Sequence, residues 1–338
     1  MELDTNIKEI VDRALNGKEI TVPEIKELFT VPAVSEESYF IQYASRKMSE
    51  VTLEGKAEVH AQVGINVGPC PKNCQFCSFA ATNRVFKHFK VLTPEEIIKR
   101  CQRFEHDGAN AIYLMATANF KFEEFINIAK QVKPALKPET VFIANVGDFD
   151  EAGALALKEA GFTGVYHAIR LGEGTVTDID PKERLKTVRA AKKAGLLVGT
   201  CVEPVGPEHA LEELVEKTRL AREMAPVFGG AARRISIPGT ELAKKGMVSE
   251  ARMAHILAVV RLAMGYRVPG NCTHEPNGIG AMAGASLLWA ENGSNPRDTD
   301  ENTETNRGYS VKKCREILSE AGWDILDGPS QIFKPQCR

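Results

Sequence analysis

The spacing of apolar positions changes near residue 55. Before it, apolar residues recur three and four apart; after it, short apolar runs alternate with helical stretches. Residues 1–54 read as three helices. Ile7, Ile10, Val11 and Leu15 share a helical face, and Gly17 stops the first. Thr21 caps the second, with Pro23 in its first turn and Glu24 near the capping-box position. Ser35 starts a third that runs to about Val51. This extension is expected to plug the underside of the following domain; contact with a substrate or partner is the alternative.

Beyond it, strands are expected at 59–67, 111–117, 140–146, 164–169, 196–202, 232–237, 267–268 and 285–289. Helices are expected from Thr93-Pro94-Glu95-Glu96 onward, near 121–133, 150–160, 181–194, 209–224, 249–264, 277–284 and 311–321. About eight strands alternating with helices over ~250 residues is the arithmetic of an α/β, TIM-type (β/α)8 barrel. A doubly wound sheet is the runner-up, but no G-x-G-x-x-G turn follows an early strand. The organisation is then a helical extension over 1–54, a barrel over 55–325 and a tail over 326–338. Chemistry in such barrels collects at the C-terminal ends of the strands.

Composition narrows the function classes. The 338 residues are 43% hydrophobic and 26% charged, with net charge −2, so no nucleic-acid footprint is present. No apolar run approaches a membrane span, and the polar start Met1-Glu2-Leu3-Asp4-Thr5 is unlike a signal peptide. A cytoplasmic location is expected. Eight cysteines there read as metal or redox chemistry rather than disulfides.

Three of them fall in Gly68-Pro69-Cys70-Pro71-Lys72-Asn73-Cys74-Gln75-Phe76-Cys77, spaced C-x3-C-x2-C on a loop leaving the first strand. Zinc sites usually close with four ligands in paired sets, and no second C-x2-C or H-x3-H follows. Iron–sulfur cubes are normally held by four thiolates; three would leave one iron open. Buried or zinc-bound cysteines are the plainer alternative. The spacing, with aromatic Phe76 before the last cysteine, resembles the signature of the radical S-adenosylmethionine (SAM) superfamily. The resemblance implies that Cys70, Cys74 and Cys77 ligate a 4Fe-4S cluster whose open iron binds SAM. Reductive cleavage would give a 5′-deoxyadenosyl radical that abstracts hydrogen from a small-molecule or acyl substrate. It also implies a transferase- or mutase-type enzyme of cofactor biosynthesis, fed by a one-electron donor such as flavodoxin or ferredoxin.

Other strand ends carry polar residues: Thr117 and Asn119, Asn145 and Asp148, then His167, Arg170 and Glu173. Arg170 and Glu173 suit the two ends of a zwitterionic amino acid such as SAM carries, or form a surface ion pair. One of Arg233 and Arg234 must face inward by strand period; the alternation Arg234–Ser236–Pro238 selects Arg234. Its alternative is an outer salt bridge. Cys272, His274 and Glu275 crowd one strand end and, with Cys201, are candidates for a second metal or cluster. Cys101, Cys314 and Cys337 read as structural. The long polar run 291–307 reads as a lid, or as a solvated loop.

Over residues 55 to 325 the similarity is to biotin synthase and its relatives: methylornithine synthase, the hydrogenase-maturation radical SAM enzyme and the split lipoyl synthases. It rests on the cysteine loop, the spacing to the fifth strand and Met282-Ala-Gly-Ala-Ser-Leu-Leu288. The resemblance implies that Val205 and Gly206 supply backbone to adenine and ribose, with Glu203 or Glu208 taking hydroxyls. Biotin synthase holds a second cluster through ligands on strands two, three and five. The matching places here are Leu114, Ile143 and Gly199, with Cys201 offset by two, so that sulfur-donating cluster is not reproduced. A sulfur inserter with a cluster near Cys201 and Cys272, and a non-catalytic iron–sulfur scaffold, are the alternatives.

Overall fold

Eight parallel strands form a closed ring: β1 (Lys56–Gly64), β2 (Ala111–Met115), β3 (Val141–Asn145), β4 (Gly164–Tyr166), β5 (Leu197–Gly199), β6 (Phe228–Arg233), β7 (Gly270–Cys272) and β8 (Leu287–Gly293). Each pairs with its successor, and β8 returns to β1 in register from Glu58↔Leu287 to Gly64↔Gly293. The computed structural model describes residues 3–275 and 277–334; Cys337 and Pro276 lie outside them. Helices α4 (Pro94–His106), α5 (Phe122–Val132), α6 (Glu151–Glu159), α7 (Pro181–Lys193), α8 (Leu211–Glu223), α9 (Glu250–Met264), α10 (Asn277–Met282) and α11 (Val311–Glu320) connect or follow the strands. The fold is the expected TIM-type (β/α)8 barrel.

Strand period sorts the residues. On β1, Val59, Ala61 and Val63 pack outward into the helix layer, while Glu58, His60 and Gln62 point in. The interior carries Tyr113, Ile143, Phe228, Leu287 and Trp289. Local signals place the helices as read: α4 begins in a capping box in which Thr93 and Glu96 exchange side-chain bonds of 3.3 and 2.8 Å.

The extension forms α1 (Thr5–Leu15), α2 (Val22–Thr30) and α3 (Glu36–Thr52). Its helices do not fill the barrel floor, which it reaches through Leu53. It covers the outer face of α9, which is why every residue from Met253 to Met264 is buried and the helix shows no polar face. Buried Arg261 ties the two together, donating to the Val268 and Met48 carbonyls and to Thr52 Oγ1. The underside is closed instead by the tail. Glu58 accepts from Ser330 Oγ and from the amides of Gln331 (2.7 Å) and Ile332 (3.0 Å). Phe333, 2% exposed, packs against the rings of His60, Tyr113 and Phe228. Phe333→Ala is expected to lower the unfolding free energy by about 3–5 kcal/mol, read by urea denaturation; an unchanged midpoint would contradict the plug.

Two late strands start elsewhere than expected. The sixth runs Phe228–Arg233 rather than 232–237, because Gly229-Gly230 hides a strand start and Gly230 sits at φ +142° against Cys272. Arg234 therefore lies beyond the strand, and strand alternation does not govern it. The seventh is Gly270–Cys272 rather than 267–268, since Val268 still belongs to the turn after α9, its amide bonding to Gly265 O.

Candidate active site

The cysteine loop leaves β1 through a short strand, Asn66–Val67, paired with Lys90–Val91. At Gly68 (φ +138°) a Cβ would lie 2.6 Å from Phe89 Cα, so only glycine passes there. Loops from three other strand ends clamp the cysteine segment. Val176 O accepts from Gln75 N at 2.9 Å, Asp178 N donates to Lys72 O at 2.7 Å, Gln75 O accepts from Leu242 N at 3.1 Å, and Ser78 N donates to Pro296 O at 3.0 Å. Asn83 Nδ2 donates to Cys77 O at 2.7 Å.

Cys70, Cys74 and Cys77 line one cavity at this end of the barrel. Burial pushes the Cys74 thiol up to about 11, with Arg170 pulling the other way, and it raises Cys77 further. Protein alone thus favours neutral thiols, while a bound cation reverses that preference, as soft-metal thiolate sites require. Three thiols on one cavity wall, set by a backbone that other loops hold, fit an iron–sulfur cluster with one iron left open. Among the described residues, no three His, Cys, Asp or Glu side chains are gathered as a closed metal cage, the loop cysteines included.

A charged station stands beside the thiols. Arg170, after β4, has Glu203 Oε1 at 3.6 Å and Glu173 Oε1 at 3.9 Å, and Glu173 Oε2 accepts from the Arg170 amide at 2.8 Å. Arg184 on α7 lies 3.5 Å from both Glu173 and Asp148 and 3.3 Å from His167 Nε2, which is 3.1 Å from Asp148. Buried Glu173 Oε1 and Arg184 Nε make no hydrogen bond among the described residues and lie 3.5 Å apart, behind a cavity that Arg170, Arg184 and Glu203 line. Arg184 escaped the sequence reading. Its signal was an arginine on the apolar stripe 184–187–188–191 of a helix.

Burial lowers the His167 pKa to about 4, Asp148 opposing, and does the same to His255 in the α9 core. Against burial, the His167 hydrogen bond and the Arg184 charge hold Asp148 near 2. Both histidines are neutral in the fold but take a proton in the unfolded chain below 6.5. The unfolded state then binds more protons, so stability declines as pH falls from 6.5 towards 4, by roughly 3 kcal/mol per histidine. Asp148 extends the loss from 3.8 towards 2. Urea midpoints measured from pH 7.5 to 4 should fall steadily; a flat profile would contradict the buried neutral histidines.

Of the other expected residues, Phe76, Asn145 and His167 line the cavity, Asn145 donating to Gln62 at 2.9 Å. Thr117 lines it too and bonds Asn66, whereas Asn119 is exposed. Val205, Gly206 and Arg234 do not line it. Arg234 is held by Glu208 through bonds of 3.1 and 2.8 Å and by Leu242 O at 2.7 Å. A Cβ at Gly206 would meet these two side chains at 2.5–2.7 Å.

Cys201 and Cys272 both line the cavity and feel each other electrostatically, and the Cys272 thiol donates to Thr200 O at 3.8 Å. His274 lines it, while Glu275 pairs with Arg233 and Arg307 away from it. Leu114 packs outward among the helices, and a Cβ at Gly199 would strike the Phe228 ring at 2.1 Å. The first part of the expected lid is strand: Glu291, Asn292 and Gly293 belong to β8. The rest is tied down by buried Asp298, which accepts from the amides of Thr299, Asp300 and Arg307 and from the side chains of Thr303 and Asn306. This segment is a fixed wall in the structure, and it brings Asn295, Pro296 and Arg297 to the cavity.

Comparison with known proteins agrees with this geometry. Residues 68–221 match the model of the radical SAM superfamily. Biotin synthase of Geobacter sulfurreducens is 25% identical over 325 residues, covering 90% of this chain and 97% of its own, and that of Desulforudis audaxviator is 26% identical over 268 residues, covering 76% and 80%. The crystal structure of methylornithine synthase superposes with TM-score 0.77 at 18% identity, covering 96% of this chain and 98% of its own. The hydrogenase maturase of Carboxydothermus hydrogenoformans gives 0.78 at 17%, covering 94% and 78%. Among the described residues, no helix is long and apolar enough to cross a membrane. By its cysteine motif, its barrel and the match over residues 68–221, the chain resembles the radical SAM superfamily and, within it, biotin synthase.

Proposed function

We propose that this radical SAM enzyme holds a 4Fe-4S cluster on Cys70, Cys74 and Cys77 and begins hydrogen abstraction from a small-molecule or acyl substrate, in the biosynthesis of a cofactor. The observation that carries the reading is the meeting of three thiols with Arg170 and Glu203 on one cavity, Glu173 pairing with Arg170 from behind. When bound and reduced by an external one-electron donor of flavodoxin or ferredoxin type, the cluster supplies the electron that cleaves SAM to a 5′-deoxyadenosyl radical. The chain's own residues bind and orient. Arg170 offers a guanidinium to a carboxylate, and Glu203 offers a carboxylate to an ammonium or hydroxyl. Arg184 and Glu173 fix Arg170 from behind. Tyr166, Ala232 and Trp289 wall the cavity and limit the water and hydrogen donors that would quench a carbon radical. Val205, Gly206 and Arg234 are assigned to shaping the wall beside the nucleoside rather than to direct contact.

The test incubates reduced, cluster-loaded protein with SAM and deuterated candidate metabolites. Deuterium in 5′-deoxyadenosine with the true substrate supports the reading; cleavage that no metabolite labels or stimulates would contradict it. The adjacency of Cys201 and Cys272 favours a second reading, sulfur insertion from a second cluster. Iron and sulfide counts separate the two: about four irons per chain for the first, seven or eight for the second.

A further inference from the structure

Residues 59–94 contain no aspartate or glutamate, although acids outnumber Lys and Arg in the whole chain, 45 to 43. The second half of this run, residues 78–90, is the loop that leaves the third cysteine and folds back over the thiol segment. Its inner side is apolar: Phe79, Val85 and Phe86 pack with Cys70 and Cys77 in one cluster. Backbone bonds fasten it there. The Cys70 amide donates to Phe79 O at 2.7 Å, and the Ala81 amide donates to Cys70 O at 3.0 Å.

The outer side is cationic. Arg84, Lys87 and Lys90 are exposed, and of the three only Lys90 has an ion-pair partner among the described residues, Glu301 at 2.8 Å. The short turn of helix Glu241–Lys245 docks beside the loop, the Glu241 amide donating to Asn83 Oδ1 at 3.2 Å, and adds exposed Lys244 and Lys245. Phe89 is 55% exposed. Its ring stacks on Phe120, with centroids 6.4 Å apart, and its Cα rests against Gly68, so it is held firmly to the cysteine segment. These outer cations are not needed beside the thiols, because Arg170 and Arg184 already favour the Cys74 thiolate from within the cavity. An exposed aromatic among unpaired cations has the make-up of a protein-docking patch for an acidic partner.

We infer that this loop, with Lys244 and Lys245 beside it, is the docking surface for an acidic one-electron carrier of flavodoxin type; this rests on the proposed radical SAM function. A carrier seated there is separated from the thiols by the single layer of Phe79, Val85 and Phe86. Opposite charge steers and orients the encounter, while the flat Phe89 ring offers an apolar anchor for the exposed edge of a flavin, which selects a flavin carrier over an iron–sulfur one. One electron leaves the carrier's reduced flavin and enters the cluster. The carrier is oxidised and the cluster reduced by that electron, and no bond or proton changes on this chain.

The test follows anaerobic reduction of the full, cluster-loaded chain by stopped-flow absorbance, with two donors. One is a reduced acidic flavodoxin; the other is photoreduced 5-deazariboflavin, small and uncharged. Reduction by flavodoxin should slow about tenfold or more between about 0.02 and 0.5 M salt, whereas reduction by deazariboflavin should not respond. Arg84→Glu/Lys87→Glu should cut the flavodoxin rate at low salt by about tenfold or more and weaken flavodoxin binding in calorimetry to match. Its deazariboflavin rate, iron content and thermal midpoint should stay at wild-type values. Phe89→Ala should weaken flavodoxin binding about fivefold and keep the salt dependence. Lys18→Glu/Lys56→Glu makes the same charge change, with Lys56 at the opposite end of β1 from the cysteine loop, and should alter neither rate nor binding. Flavodoxin rates and affinities that ignore salt and Arg84→Glu/Lys87→Glu, or that fall equally in both double variants, would overturn the inference. Salt- and variant-sensitive reduction by an acidic ferredoxin but not by flavodoxin would overturn the choice of carrier. Deazariboflavin-reduced protein that leaves SAM intact is a separate result, which removes the functional reading itself.

Discussion

Cys74→Ala is expected to yield a folded chain without iron–sulfur absorbance that releases no 5′-deoxyadenosine from SAM. The fold should survive because the loop is shaped by backbone bonds to Val176, Asp178, Leu242 and Pro296, none of which uses the Cys74 side chain. Among the described residues its thiol's one hydrogen bond is to Lys72 O, at 3.8 Å. The chemistry should not survive, because two thiolates leave a second iron unsupported and the group that supplies the electron is lost. Cleavage should fall by more than about a thousandfold, the scale seen when a unit that acts together loses one member. Product chromatography reads the cleavage, and thermal unfolding checks the fold. A Cys74→Ala chain that still made 5′-deoxyadenosine would move the site elsewhere.

Arg170→Met should weaken SAM binding by about two orders of magnitude, the cost of truncating one member of a desolvated charge set. The loss has two parts. On the proposed assignment the SAM carboxylate would lose its guanidinium, and Glu203 loses its cation at 3.6 Å. Burial lowers the Arg170 pKa, but Glu173 and Glu203 outweigh it, so the group is cationic at every working pH. Arg170→Lys should recover little, since a point ammonium cannot replace a fork that spans two carboxylates. Calorimetry with SAM on cluster-loaded protein reads the effect. Unchanged affinity with lowered stability would make Arg170 a structural ion pair only.

The barrel and the thiol site were legible in the sequence for different reasons. Parallel strands buried on both faces leave continuous apolar runs such as Ala111–Met115, and a cluster motif is local, so spacing alone carries it. Arg234 was misjudged because glycines masked the start of β6, and a shift of a few residues moved the arginine from a strand face to a turn. Arg184 was missed because its role comes from long-range geometry: it lies in a helix, and only the fold brings it to Asp148 and Glu173. The closure of the barrel floor by Phe333 was equally hidden, since so short a tail carries no periodicity to read.

The most direct measurement is a metal count on anaerobically prepared wild-type protein, followed by reduction in the presence of SAM. The account predicts iron and sulfide at about four each per chain, no zinc, and 5′-deoxyadenosine formed together with methionine. Zinc in the thiol site, or an iron-loaded protein that leaves SAM intact on reduction, would contradict it.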